Sequence, residues 1–483
     1  MSLKKDTLSG VKWSSIERFS VHGINFIIGI LLARLLSPSD FGTVAMVNIF
    51  YAVSRTFYNS GFQNALIRKK ERSEDDYCTV FIFNTVIAVV CYIILFIIAP
   101  WVAEFFNTPV LCSILRVQSV CLVINAFGAV QVARLTIAID FKGLAKRAVT
   151  ASICSGVTGV VLAYCGWGVW ALVAESMVSS TLNMLLVWFY SKWRPKLRFS
   201  WKSFHEMFSY GSKLLLSNLL NTVYNNLTPL IIGRFFSAKD LGFYARGTRF
   251  SKFPVENING VLKRVTFPIL AKVQDDTKRL INAYRKYICM TSLCIFFACM
   301  LLAALSKPFI LFLLTEKWEQ AIIYLQIYSF SAMFAHVGSI NLNLLQVIGR
   351  SDLFLRLEVI KKIISTAILF AAIPFGVIGI CVSKIIYTQI SIFINTYYTG
   401  KLFKLGYVEQ LKDFSGFFFC SVIACVPAFL LTLLNMNHLL TMLLGIAVSI
   451  VCYWLMLRKN KYMIEVLDIV KSALPKRFRP SKK

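Results

Sequence analysis

Thirteen of the 52 lysines and arginines lie in long apolar runs apart from the basic connections, and acids deep in those runs are few: Glu17, Glu175 and Glu256. A basic residue at a bilayer centre costs about 3 kcal/mol. Those near the ends of their runs, such as Lys213, Arg264 and Lys384, can snorkel to the interface. The deeper ones call for a water-filled cavity. Their spacing agrees with that. Arg249, Lys252, Glu256, Asn259 and Lys263 recur at i, i+3, i+7, i+10 and i+14, one face of a helix that Pro254 is placed to kink. Arg55 adjoins Thr56, Asn59 and Gln63, which sit 200 positions before Glu256, Asn259 and Lys263. Arg18, His22 and Asn25 line one face of the first run, and Asn218, Asn221 and Asn225 one face of the seventh.

A cavity with surplus positive charge selects an anion. Guanidinium forks suit phosphate, and carboxamides suit sugar hydroxyls. Together they fit a lipid pyrophosphate that carries an oligosaccharide. His22, His336 and Glu256 are candidates for coupling protonation to a cycle. Each stripe taken alone has a structural alternative, helix–helix hydrogen bonding.

The elements that must position these residues are membrane helices. The hydrophobic fraction is 57%, above the 45–50% of soluble domains, and mean hydropathy is +0.67. The excess comes in runs of about 20 residues, the length of a spanning helix. Alternating barrel segments are missing, so helices must satisfy the backbone. The sequence predicts an all-α integral membrane fold of fourteen spans, near 13–36, 42–66, 78–100, 110–135, 146–165, 168–190, 210–236, 243–270, 287–314, 319–345, 357–374, 376–400, 414–434 and 438–457.

Charge sets the orientation. One alternating set of connections, with the tail, holds 36 Lys and Arg, and the other holds Lys239, Lys307 and Lys317 alone. The positive-inside rule then puts both termini in the cytoplasm, which an even span count requires. The tryptophans fall near span ends, as interfacial rings do. The net charge of +29 is thus topological, and nucleic acid is not expected as a partner. The 13 cysteines form no CxxC pair, so they read as small packing residues, with no metal or cofactor expected. The polar start and long first run read as a spanning helix, not a cleaved signal. Met463, Val466, Leu467, Val470 and Leu474 recur at helical spacing among basic residues, so the tail is expected on the anionic leaflet.

The chain also repeats itself. ARLLSPSDFG at 33–42 matches GRFFSAKDLG at 233–242, pairing Arg34, Ser37, Asp40 and Gly42 with residues 200 later. Gly168-Val169 recurs as Gly376-Val377. Arg34–Asp40 and Arg234–Asp240 read as helix caps or ion pairs, with an outer gate as the alternative. Six spans per copy make a parallel repeat, the plan of many transporters with a site between halves. The expected organisation is a first six-helix lobe over 1–200, its repeat over 201–405, two peripheral helices over 406–457 and a basic cytoplasmic tail over 458–483.

At these residues the chain resembles a known family. The Gly10…Trp13 opening, ARLLSPSDFG, GFQNALI at 61–67 and Pro268-Ile269-Leu270 are similar to the polysaccharide transport branch of the multidrug/oligosaccharidyl-lipid/polysaccharide exporters, the Wzx-type O-antigen and exopolysaccharide flippases. The resemblance implies two lobes in a V around a cationic cavity. It implies export of undecaprenyl-diphosphate-linked repeat units by alternating access across a bacterial inner membrane. By position, Arg18, Arg55, Arg246, Arg249 and Lys252 would line that cavity. A polysaccharide polymerase, glycosyltransferases and membrane lipids are the partners it implies. No GxxxxGK[ST] motif stands in the cytoplasmic loops, so ATP is not the direct drive. A drug exporter of the same superfamily would carry cavity acids instead. A lipid II flippase shares the chemistry with another sugar. A polymerase or ligase needs a long periplasmic catalytic loop, and the outer loops here are short, so the expectation is a transporter and not an enzyme.

Overall fold

The computed structural model describes residues 3–473 apart from Ser60, Gln274 and Asn435. All regular structure among them is helical. The chain divides into two compact units, Met1–Gly242 and Phe243–Lys483.

The first unit holds α1 (Leu3–Leu35), α2 (Pro38–Asn59), α3 (Phe62–Arg68), α4 (Glu74–Phe105), α5 (Val110–Ile137), α6 (Phe141–Tyr164), α7 (Val169–Ser191) and α8 (Trp201–Phe235). α9 (Ala238–Lys272) begins in the first unit and continues into the second. The second unit adds α10 (Thr277–Ala304), α11 (Ser306–Leu314), α12 (Ala321–Ala332), α13 (Ala335–Val347), α14 (Ser351–Ala371), α15 (Gly376–Phe403), α16 (Tyr407–Leu431), α17 (His438–Leu457) and α18 (Lys461–Ala473). The expected lobe boundary lies at 200/201, and the division by packing falls at Gly242/Phe243, within α9.

Among the described residues, ten segments are long and apolar enough to cross a membrane, against the fourteen expected. The four others are α2, α8, α9 and α14. The reason is composition. The first three carry the polar stripes, and α14 carries Arg356, Glu358, Lys361 and Lys362. Their length is sufficient: the 22 residues of α2 rise about 33 Å.

Three expected spans are broken. α2 ends at Asn59 and α3 begins at Phe62. α10 stops at Ala304 and α11 starts at Ser306, because Pro308 has no N–H for the Ala304 carbonyl. α12 and α13 break at Met333–Phe334, where His336 Nδ1 takes the Met333 carbonyl at 2.6 Å and Nε2 meets Ser292 Oγ at 2.8 Å. His336 is fully buried, so its two nitrogens hold this break.

Each unit has the same internal pairing. α4 packs on α5, α6 on α7 and α5 on α7 in the first; α10 packs on α12, α14 on α15 and α12 on α15 in the second. Gly168 and Gly376 both enter their helices with positive φ, 53° and 75°, a conformation that favours glycine. α16, expected to be peripheral, packs into the core of its unit. Its Phe414, Phe417 and Ala424 join the core with α10, and Tyr453 of α17 donates to the Leu293 carbonyl at 2.8 Å. The tail helix α18 likewise docks on protein: Met463, Val466 and Leu467 pack on that core, and Lys286 pairs with Glu465 at 2.6 Å. That face is therefore taken up by the bundle. Residues 474–483, with Leu474, lie outside the described residues.

Candidate functional site

α2 and α8 run antiparallel along one another. Gly61 meets Gly211, Thr56 Oγ1 lies 3.0 Å from Thr222 Oγ1, and Met46 meets Gly233. Glycine makes both ends of this seam possible. A Cβ on Gly61 would lie 2.3 Å from the Gly211 Cα. At the other end α2 meets the start of α9 reciprocally. A Cβ on Gly42 would sit 1.6 Å from the Ala238 carbonyl oxygen, and one on Gly242 1.9 Å from the Pro38 carbonyl oxygen. All four positions obey the offset of 200, so the two copies of the repeated segment cross about a local two-fold.

The repeated Ser and Asp form caps. Ser37 N donates to Asp40 Oδ2 at 2.9 Å, and Asp40 N donates back to Ser37 Oγ at 3.3 Å. Ser237 and Asp240 repeat this at 3.2 and 3.0 Å. This is the reciprocal box that satisfies free amides at a helix start. Arg234 lies over the Phe105 ring at 4.9 Å.

Between the glycine contacts α2 and α8 line a cavity of about 580 Å³. α2 contributes Asn48, Tyr51, Ala52, Arg55 and Thr56. α8 contributes Asn218, Asn221, Thr222, Asn225 and Asn226. These occupy i, i+3, i+4, i+7 and i+8 of their helices, a continuous stripe in each case. The lining holds one guanidinium and no carboxylate, so its field is positive and its surface is carboxamide and hydroxyl. α5 and α7 stand behind it. Gln118 Nε2 donates to Asn48 Oδ1 at 3.2 Å, and Asn125 Nδ2 donates to Tyr51 Oη at 3.0 Å and Ser180 Oγ at 3.1 Å. Near Gly61, Lys69 bridges Asp76 at 3.0 Å and Glu206 of α8 at 2.9 Å. Burial lowers the Lys69 pKa, but the Glu206 and Asp76 carboxylates outweigh it and raise the group above its ordinary value.

Arg55, Asn218, Asn221 and Asn225 are thus brought together, as their spacing suggested. Asn48, Tyr51, Thr222 and Asn226 were missed, although Asn48, Tyr51 and Arg55 fall at i, i+3 and i+7. The other expected residues stand elsewhere. Arg18 and His22 are exposed on α1, while Asn25 of the same stripe accepts from Ser152 of α6, the helix–helix alternative. Arg249, Lys252 and Glu256 are exposed on α9 in the second unit. Arg246 was expected to line a cavity. It is buried on α9, with its guanidinium over the Trp318 ring at 5.7 Å. The side chain of Lys263 lies outside the described residues.

The class follows from the helical plan. The fold is that of the solved structure described as "Lipid II flippase MurJ, inward closed conformation", with a TM-score of 0.75, 15% identity, and 93% of this chain and 99% of that one covered. A multidrug resistance MATE family transporter of the MOP superfamily, in an inward-facing conformation, superposes with a TM-score of 0.60 at 15% identity, over 84% of this chain and 98% of that one.

The chain belongs to the family described as Polysaccharide biosynthesis protein, whose profile matches residues 31–323. It is similar to the lipopolysaccharide biosynthesis protein WzxC of Escherichia coli (strain K12), 26% identical with 82% of each chain covered. It is also similar to the teichuronic acid biosynthesis protein TuaB of Bacillus subtilis (strain 168), 23% identical over 95% of this chain and 96% of that one. The succinoglycan biosynthesis transport protein ExoT of Rhizobium meliloti (strain 1021) is 23% identical over 98% of this chain and 97% of that one. The chain is a multi-pass membrane protein of polysaccharide biosynthesis.

Proposed function

We propose that this protein is a flippase that carries isoprenoid-diphosphate-linked oligosaccharide repeat units, undecaprenyl-linked in bacteria, from the cytoplasmic to the periplasmic leaflet. The observation that carries the reading is the α2–α8 cavity, a space of about 580 Å³ lined by one arginine and the carboxamides of α8, between helices of membrane length. The names of WzxC, TuaB and ExoT agree with it. Counting α2, α8, α9 and α14 with the ten apolar segments makes fourteen spans. The basic connections then leave both termini in the cytoplasm of the inner membrane.

In that orientation the Gly42–Gly242 crossing closes the periplasmic end of the α2–α8 seam, and the Gly61–Gly211 contact closes its cytoplasmic end. Alternating access releases one contact while the other holds, as the repeat copies 1–200 and 201–405 rock. Arg55 meets the diphosphate and the α8 carboxamides meet the sugar, while the lipid chain stays in the bilayer. Arg18, Arg249 and Lys252, exposed on α1 and α9, supply further positive charge along the route, and His22 and Glu256 are the groups placed to couple protonation. A diphosphate of charge about −2 leaving a negative-inside cell gains about 2.3 kcal/mol per charge per 100 mV.

The test uses proteoliposomes with a labelled undecaprenyl-diphosphate glycan. Wild type is expected to translocate it, and Arg55→Ala to slow translocation by at least tenfold at unchanged thermal stability. Transport of a soluble organic cation with none of the lipid-linked glycan defeats the reading. Transport confined to lipid II replaces the polysaccharide unit by a peptidoglycan unit.

A further inference from the structure

Asn125 stands behind the cavity on α5, and its hydrogen bonds decide what Tyr51 has left to offer. Its Nδ2 gives one hydrogen to the Tyr51 phenol oxygen at 3.0 Å and the other to Ser180 Oγ at 3.1 Å. A phenol has one O–H to donate and an oxygen that accepts. With the oxygen accepting from Asn125, the Tyr51 hydrogen is left for the cavity. Asn48 is treated alike. Gln118, 3% exposed, donates to its Oδ1, so the Asn48 NH₂ group remains for the cavity. Arg55, one turn beyond Tyr51, has donors only. The three lie at i, i+3 and i+7, so the α2 wall presents a row of donors. The α8 wall differs. Asn226 spends its Nδ2 on the Thr222 carbonyl at 2.8 Å, which leaves its oxygen as an acceptor.

We infer that Asn125 and Gln118 are positioning residues that turn the Asn48–Tyr51–Arg55 row of the α2 wall toward the diphosphate group as donors, and leave the mixed α8 wall to sugar hydroxyls. This rests on the flippase reading for the identity of the anion. The donor row itself follows from the hydrogen bonds. Phosphate oxygens only accept, so each donor aimed at them adds a charge-assisted bond. An acceptor in the same place would repel them.

The experiment measures binding of three probes to the full chain in nanodiscs: undecaprenyl diphosphate, inorganic pyrophosphate and neutral undecaprenol. Tyr51→Phe removes the donor. Asn125→Asp replaces the amide donor by an acceptor, so the Tyr51 hydrogen turns away from the cavity. Each is expected to weaken diphosphate binding about tenfold, the worth of one bond to a charged group. The double variant is expected to lose no more than Tyr51→Phe alone, since both act through one hydrogen. Undecaprenol binding should not move, which separates positioning from general structural damage. Losses that multiply in the double variant, or that extend equally to undecaprenol, overturn the inference. Wild type that binds lipid diphosphate with both variants unaffected overturns it too and leaves the flippase reading standing. Pyrophosphate binding that depends on Tyr51, without any lipid diphosphate bound, keeps the donor wall and overturns the flippase reading. Binding of neither anion overturns both.

Discussion

Two groups of carboxamides sit among apolar helices in this molecule, and they end differently. In the second unit Asn341 of α13, Thr399 of α15 and Gln410 of α16 are fully buried. Asn341 Nδ2 donates to Gln410 Oε1 at 2.8 Å, and Thr399 Oγ1 donates to Asn341 Oδ1 at 2.8 Å. Gln410 Nε2 donates back to Asn341 Oδ1 and to the Leu405 carbonyl, each at 2.9 Å. The network closes on itself and pins three helices. In the first unit Asn221 and Asn225 of α8 and Arg55 of α2 are exposed to a cavity. The difference lies in how the residues are distributed. One polar residue from each of three helices finds its partners within the fold. A row on one helix lies along a cavity, with its side chains exposed to that space. A polar residue in a membrane helix is thus no candidate site by itself; a stripe that lines a cavity is one.

Variants sharpen this contrast. The largest effect is expected at the seam that frames the open group. Gly61→Leu places atoms where the Gly211 backbone already stands, so α2 and α8 cannot close, and translocation in proteoliposomes should be abolished. Next comes the closed network. Gln410→Leu takes from the buried Asn341 amide the partner of its Nδ2 and one donor to its Oδ1, and should cost about 3 kcal/mol, read as a lowered thermal midpoint in detergent. Arg55→Ala should do the reverse, with the midpoint held within about 0.5 kcal/mol of wild type while diphosphate affinity falls roughly tenfold or more. The smallest effect is expected at Asn225→Ala, a few-fold loss of glycan affinity with no stability change, measured on a lipid-linked glycan against bare lipid diphosphate. A destabilised Asn225→Ala, or a stable Gln410→Leu with impaired binding, would erase the distinction.

Much of this was legible before the structure. The apolar runs located the helices, and the offset of 200 in ARLLSPSDFG and GRFFSAKDLG located two capped turns that do meet. The Asn218, Asn221, Asn225 spacing found the α8 wall. What stayed hidden depends on tertiary partners. Nothing in the local sequence says that Asn125 would reach Tyr51, 74 positions away. The break at Met333 carries no proline or glycine, because a histidine side chain makes it. Arg246 and Arg249 differ by three residues and look equivalent in sequence. Packing buries one against Trp318 and exposes the other. The tail helix looked like a membrane-surface helix because its apolar face suits lipid and protein equally.

The most direct test of the open-stripe claim is photo-crosslinking of an undecaprenyl-diphosphate glycan from a diazirine amino acid placed at Asn221 or, separately, at Thr399. The account predicts a glycan-lipid adduct from position 221, competed away by unlabelled substrate, and none from position 399. An adduct from position 399, or none from position 221 in protein that still translocates, would contradict it.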